Sequence, residues 1–358
     1  MTIYSPILKD SPAEIRAVKE FYNEFPNNKN MIPIIECPIF PDIKNFPQKR
    51  NTLGSYLNKR IGTHRFIFSI VSSVKQIKNP KNYEAKIKKN IIQFLNDKLI
   101  QNNANFIFMV SYDSPDWILD ELIKLNNIEE LWISFLPYSY NFENFDSEID
   151  DKIIDSTITR FKTFFPNTKL KLNVNFYNQI NDINRIKHFI EKLYKESNIV
   201  MLTLTSCPEN ALKAPHSAIT PIGDRTDFYI FKKMKIIFSN LIFSDYTVRL
   251  MPEPSDKIKH DINIYNTYFK IFYTTSNKYY IIKAGLNSKV NDPNNTDHKD
   301  LKEVCSTFIK QKIYDGKNFS WGDSQIQQIA NGNINIRGHR KPISIAINHH
   351  LVKTISQL

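Results

Sequence analysis

The sequence predicts an α/β fold: a TIM-like (β/α)8 barrel with a C-terminal β-hairpin and helical extension. Three observations point there. Short β-branched or aromatic runs alternate with longer amphipathic segments over the first two thirds of the 358 residues, the pattern of repeated β-α units around a parallel sheet. Eight such runs fall within about 245 residues, the number and length of a barrel. The texture then changes to β-rich pairs and polar loops. An open doubly wound sheet is the alternative architecture.

The strand candidates, in order, are 3–8, 32–36, 65–70, 106–111, 131–135, 170–176, 200–204 and 240–243. Helical periodicity fills the gaps at 12–25, 83–101, 117–125, 150–165 and 181–196. The first of these opens with Ser11 as a cap and Glu14 three residues on, a capping box. The stretch 211–235 contains Pro215, Pro221 and Gly223 before another helix-like run, so the seventh crossover is expected to be long and irregular. Residues 268–273 and 278–284 flank Thr-Thr-Ser-Asn and read as a hairpin. A polar loop over 289–298, helices over 301–313 and 324–330, and an apolar closing segment over 345–355 complete the chain. The expected division is a barrel over 1–255 and a C-terminal extension over 256–358 packed on it.

Composition excludes several classes. With 41% hydrophobic and 13% aromatic residues the chain can bury a large core and is not disordered. None of the eight glycines falls in a phosphate-cradling loop spacing, which removes the usual support for a Gly-rich nucleotide site. Cys37, Cys207 and Cys305 form no C-x-x-C pair, which argues for a reducing compartment and against a disulfide scaffold or a cysteine zinc site. No apolar run is long enough to span a membrane, and the N-terminus lacks the basic and apolar regions of a signal peptide. The expected address is cytoplasmic.

The formal charge is +12, but unevenly placed. Eleven acids between Asp116 and Asp155 face only Lys124 and Lys152, while lysines crowd 75–89 and 299–353. Such a dipolar surface suits a polyanion such as nucleic acid. Only ten of the 48 basic residues are arginine, and abundant Lys, Asn and Ile equally reflect an AT-rich coding bias without selection for phosphate contacts.

Five short motifs then come together: Tyr4-Ser5-Pro6-Ile7-Leu8-Lys9, Ile32-Pro33-Ile34-Ile35-Glu36, Phe243-Ser244-Asp245-Tyr246, Phe319-Ser320-Trp321-Gly322-Asp323 and Asn348-His349-His350. In this order and spacing the chain resembles the beta-protein family, named for a phage protein and scattered through bacterial and mobile-element genomes. The resemblance spans almost the whole sequence. It implies a barrel-like α/β body with a C-terminal extension and an association with phage or host defence, without an established reaction. The chain departs from the family where Asp-Tyr is often followed by Gly and His-Pro; here Thr247, Val248, Arg249 and then Pro252 stand.

Strand ends nominate the site residues. Lys9, Glu36, Asp113, Thr205, Ser206 and Asp245 follow predicted strands, where barrel enzymes assemble their chemistry. A lysine among acids could serve as acid and base or, with the carboxylates, hold a hard cation; Lys9 and Glu36 could equally be a structural ion pair. His349 and His350, read on an extended segment, would point to opposite faces and so not share one metal. One of them could act as acid, base or phosphate donor, or simply pack. Trp321 in a tight turn could stack on a base or anchor packing. Arg249, Arg337 and Arg340 are candidate phosphate contacts or solvated residues. Cys37 is expected to be a buried structural thiol.

Two function classes follow, with a third behind them. The first is a ligand- or partner-binding component of a phage, mobile-element or defence system, with a protein partner encoded nearby. The second is a barrel-mouth enzyme acting on a phosphorylated or nucleotide-like ligand through Lys9, Glu36, Asp113 and Asp245. The third is sequence-independent nucleic-acid binding. No cofactor and no membrane partner are called for.

Overall fold

In the computed structural model, eight parallel strands run in the order in which they occur along the chain. The structure describes residues 3–37, 53–74, 77, 80–125, 128–139, 146–208, 213–248, 269–285, 299–334, 336 and 340–358. The strands are β1 (Ile7–Lys9), β2 (Ile34–Glu36), β3 (Phe66–Ser69), β4 (Phe106–Ser111), β5 (Glu130–Phe135), β6 (Lys169–Tyr177), β7 (Val200–Leu204) and β9 (Ile242–Ser244). Tyr4 bridges Phe243 in parallel, and the Ser5 and Ile7 amides donate to the Phe243 and Asp245 carbonyls at 2.8 Å each. The last strand thus returns to the first, which makes the sheet a TIM-like α/β barrel rather than an open one.

Between these strands lie α1 (Pro12–Glu24), α2 (Leu53–Ile61), α3 (Pro80–Ile87), α4 (Ile91–Gln101), α5 (Asp116–Ile123), α6 (Ser147–Phe164), α7 (Ile183–Glu196) and α8 (Thr226–Ile237). Ser11 caps α1 by accepting from the Glu14 amide at 3.3 Å. The helix expected over 83–101 is two: Lys88 takes a left-handed backbone (φ 58°) and Asn90 caps α4 through Ile92 N–H. A left-handed residue cannot continue a right-handed helix, so the break is local. Helix α2 has no counterpart in the sequence reading.

The chain divides into two compact units interleaved in sequence. One comprises Met1–Asp10, Lys29–Thr205 and Asp227–Asp245; the other comprises Ser11–Asn28, Ser206–Thr226 and Tyr246–Leu358. The first holds the eight strands and α2 to α8. Aromatic side chains mark the helix side of its sheet: Phe176 meets Phe189 of α7 edge-on at 5.6 Å, and Phe243 meets Phe228 and Phe231 of α8. Because side chains alternate along a strand, the residues between these face the lumen.

The second unit contains α1, a three-stranded antiparallel sheet, and three further helices. The sheet has the order β10 (Lys270–Thr274), β11 (Lys278–Lys283), β8 (Ala218–Asp224). The predicted hairpin is β10–β11. Its third strand, β8, falls where an irregular crossover was expected. Pro221 and Gly223 hid it, yet both are tolerated because β8 is an edge strand with a register shift opposite Tyr279 and Tyr280. The helices are α9 (Lys299–Phe308), α10 (Trp321–Ala330) and α11 (Arg340–Ser356). The His349-His350 segment is therefore helical, not extended. Its flanks are buried all round, so no polar face announced a helix. Helix α11 packs on α1, where Ser344 Oγ and Asn348 Nδ2 donate to the Ala13 and Ala17 carbonyls at 2.8 and 3.2 Å. The polar loop over 289–298 lies outside the described residues. No described helix is long and apolar enough to cross a membrane.

Candidate functional site in the barrel lumen

Strand register places the inward residues of the first unit in layers drawn from alternate strands, as in TIM barrels. Ser5 shares a layer with Ile67, Trp132 and Met201. Ile34, Met109, Asn173 and Ser244 follow above, then Ile7, Ser69, Ser134 and Thr203. Glu36, Ser111 and Asn175 come next, and Lys9 and Thr205 stand at the carboxyl ends of β1 and β7. A TIM-barrel interior is usually filled by bulky branched side chains. Here the upper layers carry serine, threonine and asparagine beside Ile7, Glu36 and Lys9, so the lumen is polar toward its carboxyl end.

Part of that lining is internally satisfied. Thr203 Oγ1 donates to Asn173 Oδ1 at 2.8 Å, and Asn173 Nδ2 donates to Ser134 Oγ at 2.9 Å. All three residues are buried. Ser111 Oγ donates to the Asp113 carboxylate at the rim. The other sector differs. Ser5 Oγ, Ser244 Oγ, Thr205 Oγ1 and Trp132 Nε1 are buried with no hydrogen-bond partner among the described residues. Three of these four lie where β7, β9 and β1 close the barrel. An unmet buried polar atom costs about 1–3 kcal/mol, which sets this sector apart from the satisfied chain beside it. At the amino end, Glu130 is paired with Lys171 at 2.7 Å and Arg65 at 3.4 Å, closing the lumen with charge.

The nominated residues separate into distinct places. Lys9 and Glu36 are register partners across β1 and β2, half-buried and facing the lumen. Asp113 is exposed at the rim beside Ser111. Thr205 lines the top, its amide donating to the Tyr177 carbonyl at 2.9 Å. Asp245 lies elsewhere. Its Oδ1 accepts Tyr4 Oη at 2.7 Å, and Tyr4 stacks on Phe243, so the carboxylate lies on the helix side of the sheet. Ser206 belongs to the second unit, where its hydroxyl donates to the Asp224 carbonyl at 3.0 Å. Arg340 is exposed at the start of α11. Arg249 and Arg337 lie outside the described residues. Cys37 is buried.

His349, His350 and Trp321 belong to a buried network in the second unit. His349 Nδ1 meets Asp323 Oδ2 at 2.8 Å and its Nε2 meets the Thr274 carbonyl at 2.7 Å. Both ring nitrogens face acceptors, so a proton must lie between the ring and the carboxylate. Asp323 also accepts Ser320 Oγ at 2.6 Å and Tyr273 Oη at 2.8 Å. Burial, together with the Asp323 charge, drives the Tyr273 hydroxyl pKa well above its ordinary value. The Tyr273 ring stacks on His349 at 3.8 Å. Serine here serves the aspartate rather than the histidine, and His349 and Asp323 are wholly buried, so the trio is not a nucleophilic triad. His350 Nδ1 meets Thr274 Oγ1 at 2.8 Å. Trp321 is not in a tight turn: it begins α10 behind the Ser320 cap, with the Arg16 guanidinium 5.1 Å from its ring centroid. No group of three His, Cys, Asp or Glu among the described residues could hold a metal ion.

The first unit thus defines the class as a TIM-like barrel with a polar carboxyl-end lumen. The chain belongs to the Beta protein family, whose match covers residues 4–356. No curated protein matches it.

Proposed function

We propose that the chain is a ligand-binding component of a phage, mobile-element or host-defence system, with its ligand held in the carboxyl-end lumen of the barrel. The setting comes from the family resemblance. The site rests on one observation: small polar side chains, four of their neighbouring polar atoms unmet, stand where a barrel usually packs branched apolar groups. Small-molecule sites hold their ligands by a few placed polar groups.

A thermal-shift panel of nucleotides, sugars, amino acids and divalent metals tests this on wild type, Glu36→Gln and Ser69→Leu. Ser69→Leu restores bulk to an upper layer and should leave the barrel folded while abolishing any ligand-induced rise. A ligand that stabilises wild type and Ser69→Leu equally places binding outside the lumen and sinks the reading. A second reading, catalysis, is favoured by Lys9 and Glu36 facing each other with Asp113 at the same rim. It requires turnover of the bound ligand that Glu36→Gln removes without weakening binding.

A further inference from the structure

We propose that a separate site at the amino ends of β3, β4 and β5 takes a short zwitterion, a molecule with a carboxylate and an ammonium a few bonds apart, such as a small amino acid. A cavity of about 130 Å³ opens there, lined by Arg65 and by residues 106–108 and 128–130. A cavity of about 150 Å³ is enough to hold benzene, so this one admits a ligand of about six heavy atoms. All of its lining belongs to the first unit. Register sets Phe66 beside Phe106 and Phe108 beside Leu131. Arg65, just before β3, and Glu130, at the start of β5, therefore flank β4, and the guanidinium reaches Glu130 Oε2 across it at 3.4 Å.

The charges around this cavity decide what fits. Glu130 has a closer partner in Lys171, whose Nζ stands 2.7 Å from its Oε1. The Arg65 contact is single and longer than the roughly 2.7–2.9 Å of a charge-assisted bond, and the Arg65 side chain is 46% exposed. Its other N–H groups meet no acceptor among the described residues. The Glu129 side chain is likewise without a donor among them, only its main-chain carbonyl being engaged, by the Lys169 amide. One cation and one anion thus line the same small space, beside the apolar Phe106, Ile107 and Ile128. With Lys171 and Glu130 the four charges sum to zero. A lone anion would be opposed by two carboxylates, and a lone cation by a guanidinium and an ammonium. A zwitterion satisfies both signs, its carboxylate on the Arg65 fork and its ammonium at Glu129.

Equilibrium dialysis of radiolabelled alanine against the full-length protein tests this, with acetate and methylammonium as competitors. Alanine should bind saturably, and neither competitor should displace it at equal concentration. Arg65→Gln and Glu129→Gln should each weaken alanine roughly tenfold, the loss of one charged partner. Ser69→Leu, at the carboxyl end of β3, should leave it unchanged. Glu129→Gln breaks no side-chain contact among the described residues and should melt with wild type, so lost binding there is not lost folding. Absence of saturable alanine binding overturns the inference, as does displacement by acetate or methylammonium alone, or binding that both variants keep. Binding lost in Ser69→Leu also overturns it, by moving alanine to the lumen. A ligand that Arg65→Gln and Glu129→Gln abolish belongs to this cavity and carries no weight against the lumen reading, which is judged on ligands these variants leave bound.

Discussion

Two buried polar regions of this molecule obey opposite rules. Around His349 in the second unit each buried group meets a partner: Asp323 receives Ser320, Tyr273 and the imidazole, and Gly322 N–H donates to Asn348 Oδ1 at 2.8 Å. In the barrel lumen, the Ser134–Asn173–Thr203 chain is satisfied while the closing seam is not. A saturated cluster fixes one conformation and has no capacity left for a ligand. An unsaturated one retains that capacity. The histidines that draw attention in the sequence sit in the saturated cluster, and plain serines make up the unsaturated seam.

The largest expected effect breaks the saturated side. Asp323→Asn puts an amide where Ser320 Oγ, Tyr273 Oη and the His349 ring all meet a carboxylate, and each buried hydrogen bond left unmet costs about 1–3 kcal/mol. Urea unfolding should show that loss. A loss under about 1 kcal/mol would mean that the network is slack, and the contrast with the lumen would vanish. Gly322→Ala should follow at about 1–3 kcal/mol. A Cβ there would stand 2.5 Å from the Ile345 carbonyl and 3.1 Å from the His349 amide nitrogen. Both are backbone atoms, which cannot swing away, so α10 must back off from α11. Within the lumen, Thr203→Val keeps the shape but strands Asn173 Oδ1, at about 1–2 kcal/mol. Ser244→Ala on the next strand should not destabilise. Equal losses for the two would show that the seam hydroxyls are as well partnered as the chain beside them.

These contrasts also show what the sequence could reveal. Each barrel strand lies within a few residues of its expected place, because helix-facing runs such as Phe66–Phe68 and Phe106–Phe108 are strongly β-prone and separated by long amphipathic segments. Lys9, Glu36 and Asp113 were legible as polar residues at strand ends. Ser5, Ser69, Ser134, Asn173, Thr203 and Ser244 give no signal singly, because serine and threonine in strands are unremarkable one at a time. A signal was present in Lys-Leu-Asn-Val-Asn over 171–175 and Met-Leu-Thr-Leu-Thr over 201–205. Parallel barrel strands are normally apolar on both faces, so strict alternation there marks a polar lumen. The Asp323–His349 pairing was not legible, since its members are 26 residues apart and only the packing of α10 on α11 joins them.

The smallest effect probes the edge of the saturated cluster. Burial raises the Glu24 carboxyl pKa above its ordinary value, a hydrogen bond from the Trp321 backbone opposes the rise, and the Glu20 and Asp323 charges add to it. In a folded state with a raised carboxyl pKa, the proton is held more tightly than in the unfolded chain. Nothing is lost at pH values below the unfolded value, and the penalty grows as pH climbs through the folded one. Glu24→Gln should therefore match wild type in acid and become slightly more stable as pH rises past the carboxylate range. The gain will be small, because Glu24 is only partly buried and solvent screens its neighbours. Paired denaturation curves at pH 4 and pH 7 read the difference directly. A variant less stable at pH 7 than at pH 4, relative to wild type, would mean that the Trp321 hydrogen bond outweighs burial and the two charges. Glu24 would then belong inside the satisfied network rather than at its strained margin.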